Sequence, residues 1–159
     1  MCAYLATGAW HRFVSTDDEG GLEWLWPAVD AGIDFVLRWQ RADGAIAWSL
    51  DPSGQTEPYA LLTGSSSIYH SLRCAIACAE RLGHERPDWE LAAGRLAHAI
   101  AHLPAAFAPK VEFAMDWYYP MLSGAVCGRA ALDRLEASWS TFVLDGVGVR
   151  CVSTGEWVT

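Results

Sequence analysis

One pattern constrains this chain more than any other. Three times, a polar or aromatic cluster opens an apolar helix rich in small residues. The clusters are Thr63-Gly64-Ser65-Ser66-Ser67-Ile68-Tyr69-His70, Asp116-Trp117-Tyr118-Tyr119-Pro120 and Glu156-Trp157-Val158-Thr159. Charged, amphipathic helices lie between them. A buried helix alternating with a surface helix, repeated, bends a chain into an arc whose inner helix starts face one pocket. The repeat is one of pattern rather than of letters.

Reading along the chain gives the elements. Residues 2–14 are apolar nearly all round, which predicts a buried inner helix. Ser15 to Gly21 is a loop of turn and cap formers. Apolar positions Leu25, Val29, Ile33, Val36 and Leu37 then recur at helical spacing, predicting an outer helix over 22–41 with Pro27 in its first turn. Residues 45–50 alternate and read as a short strand. An inner helix follows over 65–82, closed by Gly83. An outer one follows over 87–103, with Pro87 in its first turn and Asp88 and Glu90 against its dipole. A short inner helix over 117–126 and an amphipathic one over 129–142 complete the set. Arg129, Asp133, Arg134 and Glu136 form the polar face of the last. Residues 146–153 read as a strand or extended loop, and Glu156 onward as the start of a seventh helix. The expected fold is all-α: one partial α/α toroid of the six-hairpin type over residues 1–159, about three helical hairpins with short β ribbons in the loops.

Composition removes several classes of function. The net charge is −8, and Lys110 is the single lysine among eleven basic residues. Without a basic stripe, nucleic acid is not an expected partner. An acidic surface equally disfavours anionic membranes. The five cysteines, Cys2, Cys74, Cys78, Cys127 and Cys151, are odd in number and form no Cys-x-x-Cys. Free thiols in a reduced, cytoplasmic protein account for them. Nine tryptophans in 159 residues is heavy usage. Such rings pack between helices or line a groove.

The segments Leu61 to Cys74, Pro87 to Gly94, Met115 to Pro120 and Gly148 to Ser153 resemble a family of bacterial α/α-toroid proteins. That family carries the label prenyltransferase, from similarity to the terpenoid-cyclase and protein-prenyltransferase toroids, and is also close in fold to the six-hairpin glycosidases. The resemblance covers the whole chain. It implies relatives that extend further at both ends, with this chain as their middle. Residues Gln40 to Trp48 resemble the Gln…Gly…Trp repeat of squalene-cyclase-like toroids, although Trp48 falls two places late. The same residues read equally as a helix end leading into a strand.

The chemistry of the residues favours sugars over isoprenoids. Asp-x-Asp-Asp, Asp-Asp-x-x-Asp and Asp-x-Cys, which serve cyclases, synthases and protein prenyltransferases, are all absent. Glycoside cleavage needs two carboxyls flanking a sugar and aromatic platforms for its faces. Asp116, between Met115 and three aromatic rings, is the candidate acid, since desolvation there would raise its pKa. The same residue suits a helix N-cap. Glu156 is the second catalytic candidate, with Glu57 as an alternative. Ser65, Ser66, Tyr69, His70, Trp117 and Tyr118 are the candidate substrate-binding residues. The serines, at a helix start, offer hydroxyls and N–H groups to a ligand, or simply cap the helix. Arg73 needs an acidic partner if it is buried. His98 and His102 have metal-binding spacing, but they sit on an outer helix with no companion Glu. The expectation is therefore no metal and no cofactor. The expected partner is a small-molecule substrate, a sugar or an isoprenoid, with a homodimer through the open side of the arc as a further possibility.

Overall fold

The computed structural model describes residues 2–49, 51–55, 59–155 and 157–158. Among the described residues six α-helices dominate: α1 (Tyr4–Thr16), α2 (Glu19–Leu37), α3 (Leu62–Arg81), α4 (Pro87–His102), α5 (Ala114–Leu122) and α6 (Gly128–Phe142). A 3₁₀ turn, Pro104–Ala106, follows α4. One antiparallel ribbon, β1 (Val143–Leu144) with β2 (Gly148–Val149), pairs Val143 with Val149. The all-α expectation is borne out.

The helices pack in an alternating order. Each odd-numbered helix lies against the helix that follows it, and α3 also lies against α1 and α5. Small residues make the α1–α3 approach close: Ala3, Ala6 and Ala9 recur every third position and are all buried. Leu22, Val29 and Ile33 of α2 close the same core against Leu72, Ile76 and Cys78 of α3. Burying side chains of this size stabilises the fold by about 1.5–3 kcal/mol each. A second core joins Ala45, Ile46 and Ala60 to Leu96, Ile100 and Phe107. A third, smaller one holds Ala114, Trp117 and Phe142.

Several boundaries differ from the sequence reading, each for a local reason. Helix α2 begins at Glu19 because the Asp18 side chain caps it, accepting the Gly21 N–H at 2.9 Å. Gly20 and Gly21 are therefore helical, and Pro27 lies inside the helix rather than in its first turn. Helix α1 is not buried all round: Tyr4, Leu5 and Val14 are exposed. No strand covers the described part of 45–50. Gln40 instead makes an isolated bridge to Ile46. The Gln40 amide donates to the carbonyls of Gly44 (3.0 Å) and Ala92 (2.9 Å), which pins this turn onto α4. Gly44 has φ +91°, and a Cβ there would lie 2.4 Å from the Arg95 carbonyl oxygen, so only glycine fits. Trp157 and Val158 are not helical. The Cys151 N–H donates to the Trp157 carbonyl at 3.0 Å, and Val158 bridges Arg150, so this stretch folds back as a ribbon.

A charge cluster locks α2 to the turn between α3 and α4. The Arg86 guanidinium pairs with Asp30, with Asp34 (2.5 Å) and with Asp88 (2.9 Å). It lies 3.7 Å from the ring centre of Trp89, which is fully buried. The Trp89 indole N–H donates to Asp34 Oδ1 at 2.9 Å, so the large ring has its polar edge satisfied. No helix among the described residues is long and apolar enough to cross a membrane.

Candidate active site

Helix α5 starts without a capping side chain. The C-terminal segment serves its first turn instead. The Ala114 N–H donates to the Cys151 carbonyl at 3.0 Å, and Phe113 bridges Val152. Asp116 is the third residue of this helix, not its N-cap, which frees its carboxyl for a distant partner. That partner is Thr63 at the start of α3, whose hydroxyl donates to Asp116 Oδ1 at 2.5 Å. Asp116 is only 8% exposed.

Arg134 of α6 fixes the backbone around it. Its Nη2 donates to the Asp116 carbonyl at 2.6 Å and its Nε to the Trp117 carbonyl at 2.8 Å. The Trp117 indole N–H returns a bond to the Arg134 carbonyl at 2.8 Å. Burial lowers the pKa of this guanidinium, and the nearby Asp116 carboxylate pulls it part of the way back. The group stays charged, as guanidinium does in proteins. The sequence reading placed Arg134 on the outer polar face of α6. It is half-buried, because Pro120 inside α5 has no N–H for the Asp116 carbonyl, and the guanidinium supplies that donor and bonds the Trp117 carbonyl as well.

Asp116, Trp117 and Arg134 line a cavity of about 680 Å³ between the end of α4, the 104–111 loop, α5 and α6. Leu62, Ile100, Phe107, Val111 and Phe142 supply apolar walls, and Lys110, Asp133 and Ser138 add polar groups. A mostly apolar concavity of this size with a few convergent polar groups is the usual form of a small-molecule site. A second cavity, of about 470 Å³, lies at the opposite end of α3 around His84, Arg86 and Glu90.

The other residues named from the sequence divide by position. Trp117 is buried, with its ring stacked on Phe142 at 5.3 Å, so it is a wall of the cavity and part of the small core. Tyr118 is half-buried, and burial pushes its phenol up. Tyr69 is half-buried and packs between the two larger cores. Ser65 and Ser66 are not at the helix start, since α3 begins at Leu62. The Ser65 N–H is spent on the Leu61 carbonyl at 2.9 Å, and the Ser66 hydroxyl on the Leu62 carbonyl at 2.8 Å. Ser65 Oγ is buried without a hydrogen-bond partner among the described residues. His70 faces α1, with Nε2 3.7 Å from Cys74 Sγ and its ring 5.9 Å from that of His11. None of Ser65, Ser66, Tyr69, His70 and Tyr118 lines the Asp116 cavity. Arg73 is exposed and needs no buried partner. Glu156 and Glu57 lie outside the described residues.

Lys110, Asp133, Arg134 and Ser138 were missed as site residues. Two signals were available for them. The loop after α4 carries the single lysine, and Arg134 follows Asp133 directly and lies one helical turn from Ser138 on a helix facing α5.

No family model matches the chain. It is 51% identical over all of its 159 residues to the MMP endo-(1,4)-3-O-methyl-alpha-D-mannosidase of Mycolicibacterium hassiacum, and it spans 44% of the length of that relative. The relative is a glycosidase by name and lends no support to the prenyltransferase label.

Proposed function

We propose that this chain belongs to a carbohydrate-active enzyme that cleaves (1,4)-linked 3-O-methyl-α-mannosides, with the Asp116 cavity as its sugar site. The observation that carries the reading is the 51% identity, end to end, with a mannosidase. The alternation of α1, α3 and α5 against α2, α4 and α6 supports reading the fold as an arc of an α/α toroid.

The cavity suits a methylated sugar in physical terms. A 3-O-methyl group replaces a hydroxyl donor with apolar surface. Each methyl-sized group buried against walls such as Ile100, Phe107 and Val111 contributes about 0.8 kcal/mol. Asp116 serves as the proton donor to the leaving oxygen, oriented by Thr63. Asp133 is the second carboxylate of this cavity, and Glu156 is the alternative partner. Arg134 holds the Asp116–Trp117 backbone so that the acid is presented in one position.

The test is to incubate the protein with (1,4)-linked 3-O-methyl-α-mannoside oligosaccharides and with their unmethylated counterparts, following products by mass spectrometry. Internal cleavage of the methylated series, with the unmethylated one slower, supports the reading. Cleavage of neither series contradicts it.

A further inference from the structure

We propose that His11, His70 and Cys74 form a binding site for a zinc-class divalent cation in the seam between α1 and α3. His70 and Cys74 are one turn apart on α3, so both side chains project from the same face. Their Nε2 and Sγ atoms are 3.7 Å apart. Metal–nitrogen and metal–sulfur bonds of ~2.0 and ~2.3 Å at a tetrahedral angle separate such a pair by about 3.5 Å. The existing spacing is thus close to what an ion would impose.

His11 completes the set from α1. One ligand atom from each of the three residues lies within 4.8 Å of the other two. Closing the remaining gap falls to His11, whose side chain is exposed and can change rotamer without disturbing the core. One thiolate and two imidazoles suit zinc or cobalt rather than magnesium or calcium, which take oxygen ligands. Three protein ligands leave a fourth position for water. As the metal–sulfur bond forms, the Cys74 S–H proton passes to solvent, and no group is oxidised or reduced.

The site is independent of the glycosidase reading, and its test does not depend on sugar cleavage. The metal-free 159-residue protein, kept reduced, is titrated with cobalt(II). The expected result is one ion per chain, with sulfur-to-cobalt charge-transfer absorption and the intense visible bands of tetrahedral cobalt. Zinc should displace it. Cys74→Ser should remove the charge-transfer band. His11→Ala, on the surface, should leave the circular dichroism unchanged and weaken binding by at least the ~10–100-fold that loss of a supporting group costs. Cys2→Ser, Cys127→Ser and His98→Ala should change nothing. No cobalt uptake, uptake that survives both His11→Ala and Cys74→Ser, or uptake that His98→Ala abolishes would each overturn the proposal.

Discussion

Thr63 Oγ1 donates a 2.5 Å hydrogen bond to Oδ1 of Asp116, joining the first turn of α3 to the first turn of α5 across 53 residues of chain. The bond couples two of the helix starts that the sequence marks out. It also leaves Asp116 Oδ2 without a bond from Thr63.

Thr63→Val keeps the shape of the side chain and removes this donor. A hydrogen bond to a carboxylate contributes about 1.5–3 kcal/mol, so stability should fall by about that amount. Urea unfolding, followed by circular dichroism, measures it. A fall in midpoint without a change in slope is the expected form.

Arg134→Lys should behave as a loss rather than a conservative change. The guanidinium serves two carbonyls, those of Asp116 and Trp117, from Nη2 and Nε. A lysine ammonium lacks that fork geometry. One buried carbonyl left unpaired costs about 1–3 kcal/mol. Thermal unfolding of Arg134→Lys and Arg134→Met should therefore be similarly early, with both below wild type.

The Cys78 thiol is pushed up to about 12 by burial, from an ordinary value near 9. The unfolded chain ionises this group first, so stability is whole below pH 9 and is lost as pH rises toward 12. Urea midpoints should drop between about pH 9 and about pH 12, and Cys78→Ala should flatten that drop. Thiol reagents at neutral pH should label the exposed Cys2 and Cys127 well before Cys78.

At acid pH the sensitive element is the Arg86 cluster. The Arg86 side chain holds the Asp88 carboxyl below its ordinary value of 3.8. This contribution is present above that value and is lost as pH falls through the lower folded value. Arg86→Met should cost about 2 kcal/mol, since it strips charged hydrogen bonds from aspartates that remain partly in water. It should also weaken the acid dependence between about pH 5 and about pH 2.

Much of the helix pattern was legible because apolar period and caps are local. Gly83, at φ +72°, ends α3 where a C-cap glycine was expected. Pro87 opens α4. What was not legible depends on contacts far away in sequence. Ser65 and Ser66 look like a helix start. Leu62 is already helical, and the N-cap residue Leu61 contributes no side-chain cap that a sequence pattern would reveal. Trp157 looked like a helix opening, but Cys151 draws its carbonyl into a ribbon. Arg134 looked like surface charge, and it turns inward because Pro120 in the neighbouring α5 offers no N–H to the Asp116 carbonyl. Asp116 was found because a lone carboxyl among aromatic rings stands out. Asp133, sharing the same cavity, read as part of the polar face of α6, where its carboxylate pairs with Arg129.

The role of Asp116 in cleaving a methylated α-mannoside is tested most directly by one comparison. Initial rates of hydrolysis of a (1,4)-linked 3-O-methyl-α-mannoside oligosaccharide are measured for the wild-type protein and for Asp116→Asn, with substrate binding followed in parallel by calorimetry. Asn keeps the shape and can still accept the Thr63 bond, so binding should be nearly unchanged. The rate should fall by the ~10²–10⁴-fold that a positioned general acid supplies. Equal rates for the two proteins, or no cleavage by the wild type, would contradict the assignment.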